Sequence, residues 1–444
     1  MHIPSFGLSL CILLSRFVLT IMGQTHEYVQ SDPKFSFPNL RLDEMQLSGD
    51  GSMLAMSGYS QDLVYIAQAP YFHNVTQILK PADSIGPAKF GRRILFSQDN
   101  NRLVISGPGD DGFIGAVWVF EKNETTTLYQ QLQPKLVGSN RTSIIYQGYS
   151  LACDENCETI AVGSFGYMSA GSVWIFIRNP NTNHFEQDGE KISPSSLTYD
   201  DYFAYSVALN QDGTYLMVGA PGKFTGIGSV LVFQKVGTSW VQQANEFFAY
   251  PFNSPPQFGT SISLNSFANV SIIGGSNDAS GRGACWIFVK NSAGYWIQQT
   301  KLVPSDINYN ITTLNFGALA YLNSVGDLAI AAASGDNDNT GAFWVWHYNS
   351  TNWVQQGGKY VGSGSTGHAM QGSALTMTSN GGLIGTLGKD DNNNNGSFWL
   401  FSQVTRNSTV APVGPSHSHE LKSATLTNAL FIHSAIALFV LIFA

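Results

Sequence analysis

Phe203-Ala204-Tyr205-Ser206-Val207-Ala208-Leu209, then Asn210-Gln211-Asp212-Gly213, then Leu216-Met217-Val218-Gly219-Ala220-Pro221 form the stretch on which the fold turns. An alternating apolar run, a turn and a second short apolar run predict two antiparallel strands. Gly228-Ser229-Val230-Leu231-Val232-Phe233 supplies a third strand, and Trp240-Val241-Gln242-Gln243 a fourth. Working outward, the same opening recurs at Phe90-Gly91, Gln147-Gly148, Phe258-Gly259, Phe316-Gly317 and Gln371-Gly372, with intervals of 55 to 58 residues. Four strands per unit at a fixed period describe a propeller blade.

The third strand reads Gly-x-φ-Trp-φ-Phe, where φ is apolar, in the repeats carrying Trp118, Trp174, Trp286 and Trp399; Leu231 replaces Trp in one repeat, and Trp346 the final Phe beyond Trp344 in another. Tryptophan at one strand position in repeat after repeat marks inter-blade core, each ring burying ~150–250 Å². Leu47-Ser48-Gly49-Asp50-Gly51 lines up with Leu209-Asn210-Gln211-Asp212-Gly213 and makes an eroded first copy, so the count is seven. The last repeat runs out after Phe401 without a fourth strand. Tyr28-Val29-Gln30, with Lys34 beyond it, repeats the spacing of Trp353-Val354-Gln355 and Lys359. The expectation is an all-β, single seven-bladed propeller over residues 24–402, closed by an N-terminal strand that removes two exposed sheet edges.

The combination of Phe-Gly-x-Ser, Asn-Gln-Asp-Gly, Leu-Met-Val-Gly-Ala-Pro and Gly-Ser-Val-φ-Val-Phe resembles the FG-GAP repeat, whose members include the propeller at the head of integrin α chains and many secreted or surface proteins. The resemblance covers about residues 28–402 and implies ligand binding on the face built from strand 2–3 and strand 4–1 loops. It also implies calcium in strand 1–2 turns of the form D-x-D-x-D-G. The corresponding turns here, such as Ser97-Gln98-Asp99-Asn100-Asn101 and Asn323-Ser324-Val325-Gly326, never supply three alternating carboxylates, and read as turn formers. No cofactor is expected.

Composition bounds the rest. The 444 residues are 43% hydrophobic and only 12% charged, with 45 glycines, which suits tight turns between short strands. A net charge of −8 offers no basic field for phosphates, so nucleic acid is excluded as a partner. Residues 8–22 are nearly all apolar and precede Gly23, which predicts a secretory signal over residues 1–23; an uncleaved anchor is the alternative. Residues 403–423 are polar, with small residues Gly414, Ser416, Ser418 and Ser423, and lead into an apolar tail, 424–444, without Asp, Glu, Lys or Arg. Small site, spacer and tail predict a lipid-attachment signal of the glycosylphosphatidylinositol type, a membrane-spanning helix being the alternative. Asn74, Asn123, Asn140, Asn269, Asn310, Asn349, Asn395 and Asn407 stand in N-x-S/T and agree with export as a glycoprotein. Cys153 and Cys157 are spaced for a disulfide, and Cys285, in an apolar run, for a buried thiol.

No catalytic set is visible: His73, His184, His347 and His368 stand at unrelated blade positions, and an Asp336/Asp390 carboxylate pair for glycoside hydrolysis is the remaining enzymatic reading. The strand 2–3 loops hold the acids Asp336, Asp338, Asp390 and Asp391, readable as a ligand rim, as weak calcium sites or as solvated turns. The strand 4–1 loops add Tyr199, Tyr202, Tyr250 and Tyr309. Together they predict a non-enzymatic surface recognition or adhesion protein for an extracellular protein or glycan, membrane-held at its C-terminus; a structural coat glycoprotein without a specific ligand is the alternative.

Overall fold

A computed structural model describes residues 24–407, apart from 38–40, 59, 142–143, 166–168, 244–245, 308–310 and 312. The expected signal and tail, Tyr309 and Asn310 lie outside the described residues. Seven four-stranded antiparallel sheets form seven blades. Blade 1 comprises Glu44–Leu47, Met53–Gly58, Leu63–Gln68 and Val75–Leu79. Blades 2 to 6 open with first strands Ile94–Phe96, Ser150–Cys153, Ser206–Leu209, Ser261–Leu264 and Leu319–Leu322. Their fourth strands are Tyr129–Gln131, Phe185–Gln187, Ser239–Gln242, Trp296–Leu302 and Trp353–Gln355. Blade 7 takes Gln371–Met377, Leu383–Gly388 and Ser397–Asn407 from the C-terminal side and Gln24–Gln30 as its outermost strand. The seven-bladed propeller closed by an N-terminal strand is thus the observed architecture, and the last strand continues past Ser402 to Asn407.

The core is divided among the seven blade interfaces, one buried cluster for each. Trp118, Trp174, Trp286, Trp344 and Trp399 are its largest buried side chains, and Phe90, Phe258 and Phe316 meet Trp118, Trp286 and Trp344 edge-on at 5.5–5.6 Å. The Phe-Gly opening therefore supplies the partner of the tryptophan. Where Gln147 and Gln371 replace Phe, the amide instead accepts from the N–H of Gly138 and Gly362, whose missing side chains leave room for Trp174 and Trp399.

The rest of the motif joins neighbouring blades. The serine of Phe-Gly-x-Ser donates to the next blade: Ser150 Oγ to Ala204 O, Ser206 Oγ to Gly259 O and Ser261 Oγ to Gly317 O, at 2.7–2.8 Å. In blades 2 to 7 a glycine opens the third strand and lies against the next blade; a Cβ on Gly283 (φ +86°) would stand 1.9 Å from Phe316 O, and in blade 1 Asp62 takes this position and accepts from Phe90 N. Fourth-strand glutamines hold the preceding strand 4–1 loop, Gln131 accepting from Ala82 N and Gln355 from Ser305 N. Gln30 repeats this bond to Ser363 N at 2.8 Å, and Tyr28 Oη donates to Gly381 O as Tyr129 Oη does to Asn100 O. The N-terminal segment thus reproduces the fourth-strand contacts one by one.

Candidate functional site

Strand 2–3 and strand 4–1 loops share one rim. In five blades the 2–3 connection is a four-residue turn: Asp110–Phe113, Lys223–Gly226, Asp278–Gly281, Asp336–Asn339 and Asp391–Asn394. Its last three residues have positive φ in every case, for example Asn337 +54°, Asp338 +54° and Asn339 +62°. Each is therefore a single left-handed turn, a conformation costing most L-residues about 1–2 kcal/mol and tolerated best by Gly, Asn and Asp. That cost explains the Asp-Asn richness of these loops.

The first residue of the turn is a structural anchor. Asp110, Asp278, Asp336 and Asp391 are buried and pair with Lys135, Lys301, Lys359 and Lys34 from the fourth strand or just beyond it, at 2.5–2.9 Å. Asp110, Asp278 and Asp391 also accept from the preceding loop, at Ile85 N, Asn253 N and Thr366 N. Blade 4 carries the pair reversed, Lys223 with Glu246. Asp336 and Asp391, expected on the exposed rim, are thus buried: each carboxylate is turned inward onto a lysine, which also takes Asp336 away from any pairing with Asp390 across the rim. Asp338 is exposed and Asp390 half-buried, on blades 6 and 7.

The aromatic side chains are placed differently. A short 3₁₀ turn, Tyr199–Asp201, is closed by Asp201, which accepts from Thr198 N at 2.6 Å, and it leaves Tyr199 57% and Tyr202 40% exposed. Tyr250 is 74% exposed while its backbone is held at both N–H and C=O by the Gln298 amide. Phe224 and Phe248, absent from the sequence-based set, are also exposed and lie 6.4 Å apart, edge to face. These five rings belong to loops of blades 3 to 5, on the same rim as Asp338 and Asp390 but on other blades.

At the axis the rim opens into the central channel. The residue after each Phe-Gly or its equivalent is Arg92, Tyr149, Tyr205, Thr260, Ala318 or Ser373; Tyr205, Thr260 and Ala318 line the axial cavity, and Tyr149 and Arg92 adjoin it through Tyr205. Arg92 lies 4.8 Å over the Tyr149 ring, and Tyr149, Phe165 and Tyr205 pack with centroids 4.4–5.4 Å apart, Tyr202 joining at Phe165. Arg93 takes the place of the linking serine and pairs instead with Glu44 of blade 1 at 2.5 Å. Burial, then Tyr149, pushes the Tyr205 hydroxyl well above its ordinary range.

On the opposite rim, the strand 1–2 turns have their carboxylates saturated by donors. Asp50 accepts from Ser48 Oγ, Ser52 N and Asn100 Nδ2, and Asp212 from Thr214 N, Thr214 Oγ1 and Asn210 Nδ2. Among the described residues no group of three or more His, Cys, Asp or Glu side chains is placed to hold a metal ion. Cys153 and Cys157 form a disulfide in the blade 3 turn, and Cys285 is fully buried, its thiol pushed up by burial.

Burial raises the carboxyls of Asp83, Asp99, Asp212, Asp306 and Asp391, but hydrogen bonds and neighbouring cations outweigh it and hold all five below the ordinary value. Such groups stabilise the fold fully above the unfolded carboxyl value, about pH 4, and the contribution is lost as pH falls through the folded values. Urea unfolding is therefore expected to give an unchanged midpoint between pH 7 and 5 and a steep fall below pH 4; an unchanged midpoint at pH 3 would contradict this assignment.

No protein-family model matches the chain, and no curated protein does. The solved β-propeller domain of Cps50 (Swd1) from Myceliophteria thermophila superposes with a TM-score of 0.54 at 10% identity, covering 85% of this chain and 99% of that one. That likeness concerns the fold alone. Among the described residues, no helix is long and apolar enough to cross a membrane.

Proposed function

We propose that this propeller is an FG-GAP-type recognition module, exported to the cell surface, held there through its C-terminal tail by a lipid or a helix, and contacting an extracellular protein or glycan with the strand 2–3 and 4–1 rim. The observation that carries the reading is the exposed group Tyr199, Tyr202, Phe224, Phe248 and Tyr250 on loops fixed by the blades beneath. Large amphipathic rings on a preordered scaffold lose little entropy on binding. Sequon placement supports the same face: Asn74, Asn123, Asn269 and Asn349 lie in loops of the opposite rim, and the loops bearing the five rings contain none. Asn140 and Asn395 are on the ring-bearing rim but flank its other blades, Asn407 ends the last strand, and Asn310 lies outside the described residues.

Replacing Tyr199, Tyr202 and Tyr250 together by Ser is expected to reduce capture on a glycan and protein array by more than about tenfold, since interface aromatics are frequent hot spots. Replacing Phe267 and Tyr295, equally exposed on the opposite rim, is expected to leave capture unchanged. Equal loss from both sets, or loss from neither, would overturn the assignment of the face.

A further inference from the structure

We infer that the channel mouth is a binding site for a single carboxylate carried on a sugar ring, that is, an acidic monosaccharide unit. One cation beside the Tyr149 cluster is without an ion pair. Asp43 is matched by Arg41 at 3.2 Å and Glu44 by Arg93 at 2.5 Å, while Arg92 makes no ion pair among the described residues. A guanidinium without an ion pair is a fixed positive charge open to an anion. The guanidinium carbon of Arg92 lies 4.8 Å from the centre of the Tyr149 ring, and none of its N–H groups is engaged in an ion pair among the described residues.

The surroundings narrow the class. A guanidinium fork matches a carboxylate in two parallel hydrogen bonds, and one unpaired charge suits a monoanion better than a phosphate. Below the mouth a cavity of about 120 Å³ is lined by the hydroxyl-bearing Tyr205, Ser206, Thr260, Ser261 and Tyr321, together with the Arg93–Glu44 pair. Ser206 and Ser261 already donate to Gly259 O and Gly317 O and can only accept, while Tyr205, Thr260 and Tyr321 supply the donors that complement a polyhydroxylated ring; Phe165 and Tyr202 offer apolar surface for its C–H side. The site shares Tyr202 with the exposed ring group but rests on Arg92, which that group does not include, so its test at Arg92 is separate from that of the rim.

The test is calorimetric titration of the purified full-length chain with glucuronate and with N-acetylneuraminate, using glucose, acetate and an acidic dipeptide as comparisons. Saturable binding of a sugar acid is expected, with glucose and acetate at least about tenfold weaker, because each lacks half of the contact set. Arg92→Gln should weaken sugar-acid binding by about tenfold or more, and Arg92→Lys by less, since the charge stays and the fork is lost. Thermal unfolding of Arg92→Gln should match the parent, which separates a lost contact from a lost fold. Absence of saturable sugar-acid binding, equal affinity for glucose, or parental affinity in Arg92→Gln would overturn the site. Tighter binding of the dipeptide would overturn its assignment to sugar acids.

Discussion

A chain lacking residues 24–37 is expected to fail as a soluble monomer. The segment supplies the whole outer strand of blade 7 and buries Tyr28, whose hydroxyl is bonded to Gly381 O at 2.5 Å. Phe35 stacks on Phe398 at 4.7 Å, and Lys34 is the ion-pair partner of the buried Asp391. Burying one aromatic ring fully stabilises by about 1.5–3 kcal/mol and the half-buried Phe35 adds less, while an uncompensated buried carboxylate costs about 3–5 kcal/mol. The sum is comparable to the roughly 5–15 kcal/mol by which a domain is stable. Deletion also bares the Ser397–Asn407 strand as an edge open to pairing with other chains. Size-exclusion chromatography should show aggregates, and a synthetic peptide of residues 24–37 added during refolding should restore the monomer. An unchanged unfolding temperature in the truncated chain would refute closure by this strand.

The fold was legible because its determinants are local and repeated. Phe-Gly, the strand tryptophans and the fourth-strand glutamines each act at every interface, so seven weak copies of one pattern reinforce each other. Tyr28, Gln30 and Lys34 were readable at a distance from their blade for the same reason, each keeping the spacing of its counterpart in blade 6. The rim was less legible. Asp336 and Asp391 look like surface acids in sequence, since composition does not distinguish an Asp chosen for a left-handed turn from one offered to a ligand. The paired lysines stand 23 residues after Asp278 and Asp336 and 25 after Asp110, and Lys34 is at the other end of the chain from Asp391, so the pairs are identified only once the strands are known to lie in one sheet. The grouping of Phe224 with Phe248 needs the same within-blade register as Lys223 with Glu246, and that of Arg92 with Tyr149 depends on neighbouring blades meeting; neither could be read along the chain.

The second large effect expected concerns these buried pairs, and blade 4 shows how to separate their parts. In blade 2, Asp110 does two things: it balances Lys135 at 2.5 Å and accepts the Ile85 N–H at 2.7 Å. Blade 4 keeps the charge balance with reversed partners, and the corresponding loop N–H, that of Thr198, is accepted by Asp201 instead. Reversal is therefore accompanied by a substitute acceptor. It follows that Lys135→Met alone, which leaves a buried carboxylate without its cation, should destabilise by about 3–5 kcal/mol. Adding Asp110→Asn should recover most of that, because the amide oxygen still accepts from Ile85 and no charge remains. The reversed pair, Asp110→Lys with Lys135→Glu, should recover less: its charges balance, but the Ile85 N–H loses its acceptor, at a cost of about 1–3 kcal/mol. Urea denaturation at pH 7 would rank the three variants, and a reversed pair as stable as the Asn/Met pair would show that charge balance alone fixes the left-handed turn to the fourth strand.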